Sequence, residues 1–419
     1  MSGHAKRVLG GLALLGLALG VLALYIWSRY HLRAAEQALQ SYHLRAARER
    51  LRQSLGWLPG NARILLLQAQ TARRLDACAE AENRLLDYQR RQGTTEESRL
   101  EWLLLGVQQG DLGGHVRELQ SLVDAEHPAA SLILEALAKG FRNVSRGSEM
   151  LICLNRLLER EPRNTLALTL RGKGWEELRN PERALQDYER AVELDSASYP
   201  ARLGLADTLQ RLGRIREAIA HYEILREQLP RNPDVLLGLE RCRFDSYELE
   251  QAKELLDILL AAHPEHVAAL VERGRLALSR QDEAGAEEAL SRAAALAPWH
   301  REAHRLLLNC LQMRGKSGEA EKCQARIREL QASDSELGHL SLRYRNSSRD
   351  PAVRFELARW SLQNGREQDG LRWLFRTLLV DPRHGPAHAA LADYFQRSGQ
   401  PRRSAEHRKL AEGTSRIPF

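Results

Sequence analysis

Residues 199–232 read YPARLGLADTLQRLGRIREAIAHYEILREQLPRN, and residues 233–266 read PDVLLGLERCRFDSYELEQAKELLDILLAAHPEH. Laid over one another, the two blocks share an alanine at their twentieth position (Ala218, Ala252) and a proline at their thirty-second (Pro230, Pro264). In both, apolar residues recur at three- and four-residue intervals, the spacing of a helix buried along one face. Gly213 falls between two such runs, where the chain must reverse and a positive φ suits glycine. Each block therefore predicts two helices joined by a tight turn. A single pair cannot bury its apolar side, whereas stacked pairs bury a continuous core.

The phase runs outward in both directions. Ala184, Ala218, Ala252, Ala286 and Ala320 are successive steps of 34, and Pro128, Pro162, Pro230, Pro264 and Pro298 are separated by multiples of 34. The frame gives eleven windows: 28–61, 62–95, 97–130, 131–164, 165–198, 199–232, 233–266, 267–300, 301–334, 351–384 and 385–418. Seven of the fourteen prolines fall at position 32, where they stop the second helix. Gly213, Gly315, Gly365 and Gly399 share position 15, the turn. Position 8 is small in most windows, and Glu240 there is a misfit. Val, Ile and Thr are scarce and aromatic residues make up 5% of the 419, so a sheet-based fold and a Rossmann-like enzyme are excluded. Length here counts repeats, not domains.

This period and pattern resemble the tetratricopeptide repeat. The resemblance implies an all-α, right-handed α-α superhelix whose first helices line a concave groove that binds protein or peptide partners. In that family positions 2, 5, 9, 12 and 13 commonly meet ligands. Position 9 reads Lys139, Lys173, Asp207, Arg241, Arg275, Asn309 and Arg359 from the fourth window to the tenth. Five of these seven are basic, and a curved wall focuses such potential. The groove is therefore expected to take an acidic peptide segment, with Arg305 beside Asn309 and with Phe244 and Phe355 as aromatic anchors. The plainer alternative is an exposed helix face in an arginine-rich chain. Arg305 and Asn309 imitate the start of the family's carboxylate clamp, but Glu356 in the next unit opposes it.

Residues 8–27 carry no charge, and twenty helical residues span about 30 Å, the thickness of a bilayer core. Lys6 and Arg7 precede this stretch, so residues 1–7 read as a short basic tail and residues 8–27 as an uncleaved signal anchor. A short basic tail before a first apolar span favours repeats outside the cytoplasm, but Arg29, Arg33, Arg45 and Arg48 beyond the span nearly balance Lys6 and Arg7, so the opposite orientation stays open. One span followed by such repeats is similar to a bacterial lipopolysaccharide assembly protein, without its cysteine-rich metal module, and suggests a bacterial inner membrane. Gly16 and Gly20 have the spacing that lets two membrane helices form a homodimer. Residues 28–334 hold nine repeats and 351–418 two more. Residues 335–350 are expected to form a loop or hinge, and the charged helix near 404–411 to cap the array.

No catalytic constellation emerges. The five cysteines form no CxxC and read as buried apolar residues, with a Cys310–Cys323 bridge as the alternative. His300/His304 and His384/His388 have four-residue spacing, but repeat drift explains it without a metal. The formal charge of +7 comes from 62 basic and 55 acidic residues with no long basic run, so nucleic acid is not an expected partner. No cofactor or metal is implied. The expected function is a non-enzymatic, membrane-anchored scaffold; the alternative is a mainly structural subunit of an envelope assembly or secretion complex.

Overall fold

A computed structural model describes residues 26–57, 61–109, 112, 115–144, 146–347 and 350–413. Its described residues form twenty-two α-helices and no strand. In chain order these are α1 (residues 26–40), α2 (Leu44–Trp57), α3 (Ala62–Arg74), α4 (Cys78–Gln92), α5 (Glu96–Gln108), α6 (His115–Asp124), α7 (Ala130–Asn143), α8 (Gly147–Arg160), α9 (Thr165–Glu177), α10 (Pro181–Leu194) and α11 (Tyr199–Arg211). They continue with α12 (Ile215–Gln228), α13 (Pro233–Asp245), α14 (Leu249–Ala262), α15 (Val267–Ser279), α16 (Glu283–Leu296), α17 (Arg301–Met313), α18 (Ser317–Asn346), α19 (Pro351–Gln363), α20 (Glu367–Leu378), α21 (Gly385–Arg397) and α22 (Pro401–Ala411). Residues 8–25 of the expected membrane span, with Gly16 and Gly20, lie outside the described residues. Among the described residues no helix is long and apolar enough to cross a membrane.

The helix boundaries follow from the repeat frame. Position 34 is the N-cap of the next first helix: Asn164 accepts from Ala167 N–H, and Asn232 from Asp234 and Val235 N–H. His266 and His300 do the same through Nδ1, at 3.2 and 3.1 Å from the N–H of Ala269 and Ala303. Proline opens α10, α13 and α19, where its missing N–H costs nothing. α8, α12, α14 and α16 each stop two residues before Pro162, Pro230, Pro264 and Pro298. At position 15 the backbone is left-handed whether or not glycine is present. Gly213, Gly315, Gly365 and Gly399 share positive φ with Tyr42, Asp76, Arg179, Tyr247 and Gln281. The alanines at position 20 (Ala47, Ala81, Ala184, Ala218, Ala252, Ala286) are fully buried, which brings the paired helices close.

The chain forms two compact units: residues 1–143 with 385–419, and residues 144–384. Neither boundary between these units falls at residues 335–350. Residues 335–346 are not a loop but prolong α18 to 30 residues. Leu337, Leu340 and Tyr344 give the extension an apolar face, which packs on Leu357, Trp360 and Trp373 of the following pair. In the first unit a buried ionic cluster joins three first helices. Arg73 is wholly buried and donates through Nε to Glu101 at 2.5 Å and through Nη1 to Gln108 at 3.1 Å. Arg74 reaches Glu135 at 2.9 Å.

Candidate functional site

The first helices of the unit spanning residues 144–384 carry most of the side chains singled out at position 9 of the repeat. The floor beneath them is set by two tyrosines at position 24. Tyr188 and Tyr222 are fully buried, and each ring lies where a neighbour has no side chain. A Cβ built on Gly172 or Gly204 would come within 2.8 and 2.5 Å of the Tyr188 ring, and one on Gly238 within 2.4 Å of Tyr222. Gly172 belongs to the same repeat as Tyr188, whereas Gly204 and Gly238 belong to the repeat after their tyrosine. The hydroxyls emerge among acceptors on the first helices. Tyr188 donates to Glu176 at 3.0 Å, and Thr208 donates to the same carboxylate at 2.9 Å, with Arg211 also paired to it. Tyr222 donates to Asp207. Burial and these carboxylates push both phenols well above the ordinary tyrosine range.

The next step of the array breaks this pattern. Position 24 is Leu256, and the places occupied by small residues in the preceding steps hold Glu240 and Glu272. The shorter leucine leaves room for two carboxyl groups. Both are buried, and Glu240 Oε2 has no hydrogen-bond partner. Burial first, and then the Glu272 charge, hold the Glu240 carboxyl at about 8, against the pull of Arg241 and Arg275. Arg241 donates to Glu272 at 2.9 Å, and Arg275 pairs with it at 3.0 Å. The series continues: Arg275 lies 3.7 Å from Glu302, which pairs with Arg305 at 2.7 Å. The expected basic line is thus a ladder of alternating guanidinium and carboxylate along α13, α15 and α17.

Of the residues singled out by position, Arg241, Arg275 and Arg305 are brought together in this ladder. Asn309 and Arg359 are exposed on α17 and α19. Lys173 and Phe244 are half-buried, Phe244 against the apolar core. Phe355 packs against His384, ring centres 5.0 Å apart. Lys139 is a correction. It lies in the other unit, buried, with Nζ donating to the Arg74 carbonyl at 2.6 Å and to Asp76 at 3.1 Å. Its Nζ also lies 3.8 Å from the buried carboxylate of Glu135 on α7, so it belongs to the buried ionic cluster and not to an exposed helix face. Glu240 and Glu272 escaped a scan of position 9 alone. Their signal was the joint replacement at three places: carboxyls at positions 8 and 6 where position 24 is not tyrosine.

The histidines and cysteines have structural partners. His304 donates to the Pro298 carbonyl at 3.1 Å, and His388 Nδ1 lies 2.8 Å from His407 Nδ1. All five cysteines are free; Cys310 donates to the Glu283 carbonyl and Cys323 to that of His304. No group of three or more metal-ligating side chains occurs among the described residues.

Comparison with known proteins places this geometry. The tetratricopeptide repeat family model matches residues 177–228 and 213–274. The protein CTR9 homolog of Arabidopsis thaliana is 30% identical over 112 residues, which is 26% of this chain and 10% of that protein's length. Among solved structures, the type IV pilus biogenesis factor PilW is similar over 48% of this chain and 92% of its own, with 18% identity and a TM-score of 0.45. Yeast Tom70 is similar over 94% of this chain and 87% of its own, with 14% identity and a TM-score of 0.39. YrrB, a repeat protein described as having an unusual peptide-binding site, is similar over 44% of this chain and 95% of its own, with 16% identity and a TM-score of 0.38. At these levels the structural likenesses assign no role. The family match within residues 177–274, on helix pairs repeating every 34 residues, supports a tetratricopeptide repeat array.

Proposed function

We propose that the chain is a protein-binding scaffold whose first-helix surface, within residues 144–384, takes a peptide segment bearing carboxylates. The carrying observation is the Arg241–Glu272–Arg275–Glu302–Arg305 ladder. Its guanidiniums are only partly covered, and Arg241 and Arg275 occupy the same place in consecutive repeats. The partly exposed Glu302, 3.7 Å from Arg275, is the carboxylate an incoming acid can replace, because it returns to solvent while Glu272 keeps its partners. Exposed Asn309 and Arg359 extend the polar surface, and Phe244 and Phe355 flank it with apolar rings. The uncharged residues 8–27 anchor this scaffold in a membrane, with the repeats outside the cytoplasm; a C-terminal topology reporter tests that side. Charge reversal at Arg241 and Arg275 together, followed by crosslinking mass spectrometry in native membranes, tests the groove. Loss of crosslinks to α13, α15 and α17 is expected. Unchanged capture would refute the peptide reading, and contacts spread over the second helices would instead mark a structural subunit.

A further inference from the structure

The last helix pair does not behave as a solvent-facing cap. Within the unit formed by residues 1–143 and 385–419, α22 reaches α4 and α5. Arg402 lies over the Trp102 ring, 4.4 Å from its centre, and Arg403 Nε is 3.9 Å from Glu82. Gln109 donates to Gln400 at 3.3 Å. The Arg403 guanidinium also lies beside Gly106, Nη2 3.7 Å from where a Cβ would stand. The contact is polar: Ser404 is the one wholly buried residue of α22. Its receiving side is poorly satisfied. Glu82 is buried, yet neither of its oxygens has a hydrogen bond, and Trp102 Nε1 has none. These are three of the eleven buried side-chain polar atoms left without a partner among the described residues. A native interface rarely leaves such groups unmatched, because each costs its full desolvation.

We propose that the α4–α5 face is a docking surface for an arginine-bearing helix of a partner protein, and that α22 is its resident occupant in cis. The chemistry of this face specifies the partner. A guanidinium must sit within hydrogen-bond reach of Glu82, a second must cover the Trp102 ring, and an acceptor must meet the indole N–H. α22 supplies the two guanidiniums but stops short of Glu82. A helix not tied to α21 is free to advance that distance. Tethering compensates for the poor fit, because it holds α22 at a high effective concentration. This surface is separate from the guanidinium–carboxylate ladder, so either assignment fails without the other.

Cys78 provides a built-in reporter. It is the one partly exposed cysteine, and its thiol lies beside Gln109 and near the charge of Arg403. The full chain with Arg402→Ala and Arg403→Ala is expected to alkylate at Cys78 several-fold faster with iodoacetamide than the unaltered chain. It is also expected to bind a labelled synthetic peptide of residues 398–413 about tenfold more tightly than the unaltered chain does. Adding Glu82→Gln or, separately, Trp102→Leu removes that gain, and so does reversing both arginines of the peptide. Equal alkylation rates, corrected for the smaller thiolate fraction once the Arg403 charge is removed, would show that α22 does not cover the face. Peptide binding that ignores Glu82, Trp102 or the peptide's arginines would overturn the docking surface, as would no gain on releasing α22. Circular dichroism of each variant verifies that the helices are retained.

Discussion

Replacing Glu240 with glutamine should stabilise the protein, and increasingly so as pH rises. The carboxyl sits at about 8 instead of its ordinary 4.5. The native state therefore holds a proton that the unfolded chain releases across that interval, and stability falls as pH rises through it. At pH 7 the difference spans two and a half pH units; at about 1.4 kcal/mol each, the wild-type chain forgoes ~3 kcal/mol. Glutamine has the same shape, cannot ionise in either state, and escapes that loss. The gain should shrink below about 1 kcal/mol at pH 5, where the unfolded carboxyl also carries much of its proton. Burial, then Glu272 and Asp245, keep Glu240 protonated, while Arg241 and Arg275 work against them. The assay is urea unfolding of both chains at pH 5, 7 and 8.5, followed by the tyrosine and tryptophan signal of this region. A difference that does not change with pH, or a variant that is less stable at pH 7, would refute the assignment of Glu240 as a buried neutral acid.

Three further outcomes follow from the geometry. Tyr247→Gly should raise stability by about 1 kcal/mol in thermal unfolding, because Tyr247 is highly exposed and held at φ 60° where glycine is unstrained. Gly238→Ala should cost about 1–3 kcal/mol by driving a methyl group into the Tyr222 ring; a double-mutant cycle with Tyr222→Leu should return most of it, and strict additivity would contradict the wedge. Glu101→Ala should cost about 3–5 kcal/mol by stranding the Arg73 guanidinium, measured by chemical denaturation.

Local rules carried most of the fold. Prolines at position 32, small residues at 8 and 20, and a turn at 15 each act within one repeat, so they can be read from one strand of text. Tyr42, Arg179 and Tyr247 show the limit: the left-handed turn persists without glycine, because packing of the paired helices outweighs a local cost. The phase break at 335–350 was legible, but its form was not. A loop and a prolonged helix both shift the register, and only the packing of Leu337, Leu340 and Tyr344 on α19 and α20 decides between them. The basic line was legible as composition, but its carboxylate partners were not. Arg241 and Arg275 are matched by Glu272, which lies one repeat away from Arg241 and belongs to a different position of the frame. The seat of α22 against α4 and α5 links residues some three hundred apart, and no periodic pattern encodes it.

The tyrosine wedges have a consequence for how such an array can change over time. Tyr188 and Tyr222 each need a glycine in the repeat that follows, so their repeats are not interchangeable beads. The rings act as a grammar of adjacency: a tyrosine-bearing unit is permitted only before a unit that yields space at its sixth place. Duplication of a whole run preserves the rule, whereas excision or shuffling of single units violates it. Growth of the array is thereby steered toward copying neighbours together, and the order of its parts becomes a heritable property in its own right.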